Sequence, residues 1–387
     1  MQYRQFGSLG YNVSALGLGC MRLPRIELAD GTVTVDKEKA IELIRYAADH
    51  GITYFDSSFT YHNGESEAVI GEAFSEGSRR EKVIIATKQR YPSMQNSREV
   101  MRKNLETTLK RLRTDYLDLY LIHNVNSNEW EGVKQLGVFE EYEKFKSEGL
   151  IKNIGFSYHG DLALFMEVLG TYDFSMCQFQ YNLLMSDREL PTEGLELAYK
   201  KGCATVVMEP LRGGGLAGAP QEVLDVYNSC NIKRTPAEWG LRYVIDRPEV
   251  SVVLSGMSTL EQLKENIETF SSPDAVPYCL TENEKQILAE ARTAYLSRKS
   301  IPCTGCEYCM PCPNGVDIPD LFSKYNEGYR FDKFDNARRT YMFSVAAGTD
   351  GSHCIGCGAC MSKCPQSINI VEQVAMAHKM LSGWRES

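Results

Sequence analysis

Residues 83–88 read Val-Ile-Ile-Ala-Thr-Lys, and residues 117–123 read Leu-Asp-Leu-Tyr-Leu-Ile-His. Both are apolar runs of strand length, and each ends in an ionisable side chain. Apolar residues at nearly every position predict strands covered on both faces, as in a parallel sheet flanked by helices. Working outward, similar runs occur at 15–19, 54–57, 153–156, 176–180, 205–208 and 251–254. Amphipathic stretches lie between them, at 37–50, 66–74, 97–112, 139–147 and 260–269. Gly51, Gly77, Gly149 and Gly202 stand just past helical patterns, where glycine commonly ends a helix. Eight strand–helix units in about 280 residues predict a closed (β/α)₈ TIM barrel. A doubly wound open sheet is the alternative. It would carry a glycine-rich loop after the first strand, and Gly17-Leu18-Gly19-Cys20-Met21-Arg22 does not complete that pattern.

Barrels of this kind place catalytic groups at the C-terminal ends of the strands. Asp56 ends the second run, Tyr61 follows in the same loop, Lys88 ends the third and His123 the fourth. An ammonium at hydrogen-bond range stabilises a phenolate, so Lys88 is expected to lower the pKa of Tyr61, with Asp56 holding Lys88 charged. His123 would hydrogen-bond a carbonyl oxygen and orient it. Together they would make Tyr61 the general acid that protonates that oxygen as hydride reaches the carbon. Taken singly, each residue has a bland reading, such as a helix cap, loop packing or a structural histidine. Their occurrence on consecutive units points to a site.

These segments resemble the aldo-keto reductases. GITYFDSSFTYHNGESEAVIGEAF is similar to that family's second-strand signature, VIIATK to its lysine strand and DLYLIH to its histidine strand. The resemblance implies that Asp56, Tyr61, Lys88 and His123 form the catalytic tetrad, and that a nicotinamide, NAD(H) or NADP(H), exchanges hydride with a small carbonyl or alcohol substrate. It also implies cofactor contacts at Ser157, Gln178 and Met208, with Gly256, Gln262 and Asn266 toward the adenosine end. Tyr158 stands where the family has Asn, and Met208 where many members stack an aromatic ring. Gly256 and Gln262 replace the Lys and Arg that often read the 2′-phosphate, which implies that NADH binds at least as well as NADPH.

Of the 13 cysteines, eight fall in two runs. Cys303, Cys306, Cys309 and Cys312 precede Pro313, and Cys354, Cys357, Cys360 and Cys364 precede Pro365. The second run has the C-x₂-C-x₂-C-x₃-C-P spacing of bacterial ferredoxins, and the first is one residue shorter at its last gap. Zinc is the alternative, but zinc knuckles come as pairs rather than as four-cysteine runs ending in Cys-Pro. The runs and the helical patterning between them resemble an α-helical ferredoxin domain. That resemblance implies two [4Fe–4S] clusters, with the fourth cysteine of each run serving the other cluster.

The expected organisation is therefore a barrel over 1–280, a connecting helix over 281–300 and a smaller, mainly α-helical iron–sulfur domain over 301–387. The net charge of −9 disfavours nucleic acid and anionic membrane as partners. No apolar run approaches a membrane span, and the first residues carry no secretory pattern, so a cytoplasmic location is expected. Clusters accept single electrons, which suggests a redox partner protein, and FMN is a candidate mediator between hydride and single-electron chemistry. Two other readings are a plain carbonyl reductase with structural or docking clusters, and an electron-transfer subunit without enzymatic activity. The complete Asp–Tyr–Lys–His set argues against the last.

Overall fold

The computed structural model describes residues 1–91, 97–185 and 192–383. Eight strands close into a parallel barrel: β1 Leu16–Gly19, β2 Tyr54–Asp56, β3 Ile84–Gln89, β4 Leu117–Val125, β5 Ile151–Tyr158, β6 Met176–Gln180, β7 Ala204–Met208 and β8 Val252–Ser255. Each strand pairs with its neighbour in chain order, and β8 returns to β1. The β-branched and aromatic runs are buried on both faces, inward among Tyr54, Leu119, Leu121, Met176, Val206 and Val252, and outward under the helices. The barrel predicted from the sequence is the observed fold. A hairpin of Tyr3–Gln5 with Asn12–Ser14 precedes β1, and a second, Arg25–Glu27 with Val33–Val35, lies between β1 and β2.

Helix boundaries follow local chemistry. Asp36 caps Lys37–Asp49 by accepting from Lys39 N, Ser97 caps Arg98–Leu112, and Thr259 caps Leu260–Ser271.

The chain forms two compact units, Met1–Leu211 with Glu238–Thr281, and Arg212–Ala237 with Glu282–Ser387. In the second, helices Ile318–Phe331, Asp335–Ala347 and Ile370–Ser382 enclose a core that includes Ile318, Leu321, Phe322, Tyr341, Val374 and Leu381. Asn326 clamps Ile301 in both directions, accepting from its N–H at 3.0 Å and donating to its carbonyl at 2.8 Å. Arg234 pairs with Glu284 on the buried side of helix Glu282–Ser297, and Arg298 reaches Glu222 at 2.8 Å. Among the described residues, no helix is long and apolar enough to cross a membrane.

Candidate active site and cysteine-lined hollows

Asp56 and Lys88 end adjacent strands and are 2% and 1% exposed. Lys88 Nζ donates to Asp56 Oδ1 at 2.5 Å and to the Ser57 carbonyl at 2.6 Å, and it lies 5.0 Å from the centroid of the Tyr61 ring. His123 meets Tyr61 edge to face, with centroids 5.8 Å apart. All four predicted groups thus share the C-terminal mouth of the barrel.

Burial alone would lower the pKa of Lys88, but Asp56 and Tyr61 more than offset it and hold the ammonium above its usual range. Burial raises the Asp56 carboxyl, with Lys88 and Gln178 pulling it back in part. The Tyr61 phenol is also raised, because burial outweighs the opposing pull of Lys88. Lys88 does pull the phenol down, as expected from the sequence, but the cost of burying a phenolate is larger and the net shift is upward. His123 lies well below the usual histidine value, through burial first and then through Lys88, His159 and Arg90. The mouth therefore presents a neutral phenol and a neutral imidazole beside one ammonium. That arrangement can donate a proton to a carbonyl oxygen.

The loop that carries Tyr61 is held from beneath. Glu67, fully buried, accepts from Thr87 at 2.7 Å, Thr108 at 3.1 Å and Arg111 at 3.1 Å, and Arg111 also donates to the Phe59 carbonyl at 3.0 Å. His62, Asn63 and Gly64 follow Tyr61 with φ of 49°, 54° and 93°. At Gly64 any Cβ would come within 2.4 Å of the Arg111 guanidinium carbon. The turn is left-handed, which is costly for His and Asn, and the Arg111–Glu67 network underneath sustains it.

On the far side of the mouth, Gln178 of β6 pairs in register with Ser157 of β5. Gln178 is 2% exposed, and its Oε1 has no hydrogen-bond partner among the described residues. Ser157 Oγ accepts the Asn124 N–H at 2.8 Å and keeps its own proton to donate. An orphan acceptor beside a free donor matches the NH₂ and C=O of a carboxamide, so these residues fit a nicotinamide. Tyr158 does not stand in for the family's Asn, since it is buried and its hydroxyl donates to the Asp161 carbonyl at 2.5 Å. Met208 ends β7. Beyond β8, Gln262 Oε1 accepts from Ser258 N at 2.9 Å, and Asn266 donates to Ser255 Oγ at 3.2 Å. The stem of Arg22 runs along Gly256, 3.4 Å from where a Cβ would stand. Arg22 and Ser58 were not among the residues singled out from the sequence. Ser58 bridges His123 and Lys88, and only the fold brings those residues together.

In the second unit, Cys303, Cys306, Cys309 and Cys364 line one hollow of about 340 Å³. Cys312, Cys354, Cys357 and Cys360 line another of about 350 Å³. Ile318 and Ile370 line both hollows and so separate them. Cys306 and Cys357 are exposed, while the other six are partly buried. Among the described residues, no group of three His, Cys, Asp or Glu converges on a single ion. Each hollow thus has four cysteines in its lining, the ligand number of a [4Fe–4S] cluster. Gly305 turns the first run with φ of 67°, and its N–H donates to Cys303 Sγ at 3.3 Å.

The model of a 4Fe-4S dicluster domain matches residues 302–368. YqkF, an uncharacterised oxidoreductase of Bacillus subtilis, is 28% identical over 303 residues, covering 69% of this chain and 90% of its own. The aldo-keto reductase yakc [NADP(+)] of Schizosaccharomyces pombe is 32% identical over 216 residues, 54% of this chain and 61% of its own. Among solved structures, aldo-keto reductase AKR11C1 of Bacillus halodurans superposes with a TM-score of 0.62 at 27% identity, covering 75% of this chain and 96% of its own. The model of the aldo/keto reductase family matches residues 15–275, and the chain belongs to that family: it is an aldo/keto reductase oxidoreductase with a 4Fe-4S domain.

Proposed function

We propose that the barrel transfers hydride between a nicotinamide and a small carbonyl or alcohol substrate, with Tyr61 as general acid in reduction and general base in oxidation. The observation that carries this reading is the buried Lys88–Asp56 pair set under Tyr61, beside the unpartnered Gln178 Oε1. When bound, the nicotinamide supplies the hydride. Gln178 and Ser157 would hold its carboxamide, with Met208, Gly256, Gln262 and Asn266 as the further residues toward it. His123 orients the carbonyl oxygen, and Tyr61 Oη delivers the proton to it. Lys88, kept charged by Asp56, stabilises the phenolate left behind. A phenol held above its usual pKa stays protonated at neutral pH, which suits the reducing direction. The Schizosaccharomyces pombe relative is named for NADP⁺, and this barrel would take NAD(H) or NADP(H).

The functional division would be the barrel over 1–280, a connecting helix over 281–300 and the iron–sulfur domain over 301–387. That domain would hold two [4Fe–4S] clusters, one on Cys303, Cys306, Cys309 and Cys364 and the other on Cys312, Cys354, Cys357 and Cys360. Such clusters would supply single-electron chemistry and would exchange electrons with a redox partner protein. The exposed Cys306 and Cys357 support this, because each hollow presents one edge to solvent. FMN is the kind of group that converts hydride to single electrons, and the spectrum and cofactor content of protein purified without oxygen decide whether one is bound. A cytoplasmic location, where thiols stay reduced, suits this ligand set.

The test is Tyr61→Phe. It should lower kcat for aldehyde reduction by about 10²–10⁴-fold with little change in nicotinamide affinity. Wild-type kcat in the variant would refute Tyr61 as the acid.

A further inference from the structure

The hydroxyl of Ser58 touches two residues of the catalytic set. Ser58 is 1% exposed, and its Oγ lies 2.9 Å from His123 Nδ1 and 3.2 Å from the Lys88 carbonyl oxygen. One hydroxyl proton must serve one of these two acceptors. His123 is neutral, so its ring also carries one proton, on Nδ1 or on Nε2. If Ser58 donates to the Lys88 carbonyl, its oxygen accepts from Nδ1–H and Nε2 becomes an acceptor. An acceptor on that edge of the ring would repel the lone pairs of a substrate carbonyl. If Ser58 donates to Nδ1, the ring proton sits on Nε2, which can then donate to that carbonyl.

The surrounding hydrogen bonds decide between the two. The Lys88 carbonyl already accepts the Phe59 N–H at 3.0 Å. It loses no necessary partner when the Ser58 proton turns away, and no buried group is left unsatisfied. Among the described residues, His123 Nδ1, facing Ser58, has no such second donor, and its contact with Ser58 is the shorter of the two.

We propose that Ser58 is a positioning residue that fixes the tautomer of His123, donating to Nδ1 and thereby keeping the proton on Nε2 for a substrate carbonyl. The inference rests on the barrel mouth being a carbonyl-reducing site. It adds a residue that acts through His123 rather than on the substrate.

The test uses the full-length holoprotein labelled with ¹⁵N-histidine. The His123 resonances are identified by their loss in His123→Gln, and two-bond proton–nitrogen correlations at neutral pH then report which nitrogen carries the proton. The expected wild-type pattern is an unprotonated Nδ1 and a protonated Nε2. Ser58→Ala should shift the ring towards a mixture of tautomers, and Ser58→Thr, which keeps the hydroxyl, should restore the wild-type pattern. A proton on Nδ1 in the wild type, or an unchanged pattern in Ser58→Ala, would overturn the proposal. Kinetics with para-nitrobenzaldehyde separate this inference from the reading beneath it. Ser58→Ala should raise the aldehyde KM about tenfold, and the nicotinamide Kd should not move. If His123→Gln leaves the aldehyde KM unchanged, the carbonyl-site reading fails. If His123→Gln raises it and Ser58→Ala does not, the Ser58 inference alone fails.

Discussion

The barrel mouth and the cysteine unit hold their reactive groups by different means. Asp56 and Lys88 are locked by the strands they end, at 2% and 1% exposure, over a core that runs the length of the barrel. Their geometry is paid for by packing and needs no ligand. The cysteines instead surround hollows, two of them reach solvent, and the core behind them draws on three helices. Each hollow is lined by cysteines from both runs, so a group bound there would tie the two runs together and its binding would also be folding energy.

The largest break of this contrast is Cys364→Ala. Cys364 lies in the second run but lines the hollow of the first, so its loss should disturb both. Iron content should fall by about half or more, and the segment after residue 300 should become sensitive to protease. Cys203→Ala, a buried barrel cysteine, should keep wild-type iron. Equal iron in the two variants would contradict the crossed ligand set. The barrel of Cys364→Ala should still bind nicotinamide, which checks that its site stands on packing alone.

A smaller effect sharpens the barrel side. The stem of Arg22 runs along Gly256, one of the positions expected toward the adenosine end, so a 2′-phosphate bound there would fall within reach of its charge. Charge-assisted bonds to phosphate contribute about 1.5–3 kcal/mol. Arg22→Ala should therefore weaken NADPH by about tenfold or more and NADH by much less, as measured by fluorescence titration. Equal losses would put Arg22 on the pyrophosphate instead.

The smallest expected effect is a flat pH profile. His123 is shifted down from 6.5 by burial and the charges near it, so it stays neutral as pH falls through that value. Tyr61 is shifted up from 10.0, so it stays protonated as pH rises towards it. Between pH 6.5 and pH 10.0, kcat for reduction should not change through either group. A limb inside that interval that disappears in His123→Gln or Tyr61→Phe would contradict these shifts. The sign for stability follows: below pH 6.5 the unfolded chain protonates His123 and the folded chain does not, so this residue removes stability as pH falls.

How much was legible in the sequence follows the same division. Buried parallel strands leave continuous apolar runs, so the eight runs match the eight barrel strands to within a few residues. The fourth run ends at His123 in the sequence, whereas β4 continues to Val125, because Asn124 takes a φ of 62° at a register shift and pairing resumes at Val125 with Tyr158. The polar pair His123-Asn124 hid that extension. The three-residue hairpin strands at Tyr3–Gln5 and Asn12–Ser14 are too short for any period to show. Helix Ile370–Ser382 carries a helical signal, with Ile370, Val374, Ala377 and Leu381 on one face, beyond the second cysteine run. Nothing in the glycine-rich start at Arg212 announces that Arg212–Ala237 groups with the cysteine unit.

The tetrad was legible because each member ends or follows a strand. Ser58 and Arg22 were not, because a serine or an arginine acquires its meaning from neighbours that only the closed barrel supplies. Ser58 needs His123 of β4, and Arg22 needs Gly256 after β8.

The central claim is direct hydride transfer assisted by Tyr61. Its most direct test is a single turnover without oxygen, using nicotinamide deuterated at the hydride-donating carbon and para-nitrobenzaldehyde as acceptor. The account predicts that the product alcohol carries the deuterium on its carbinol carbon, that the cluster absorbance stays unchanged during transfer, and that the rate collapses in Tyr61→Phe. Alcohol without deuterium, formed as the clusters bleach and at the same rate in Tyr61→Phe, would contradict it.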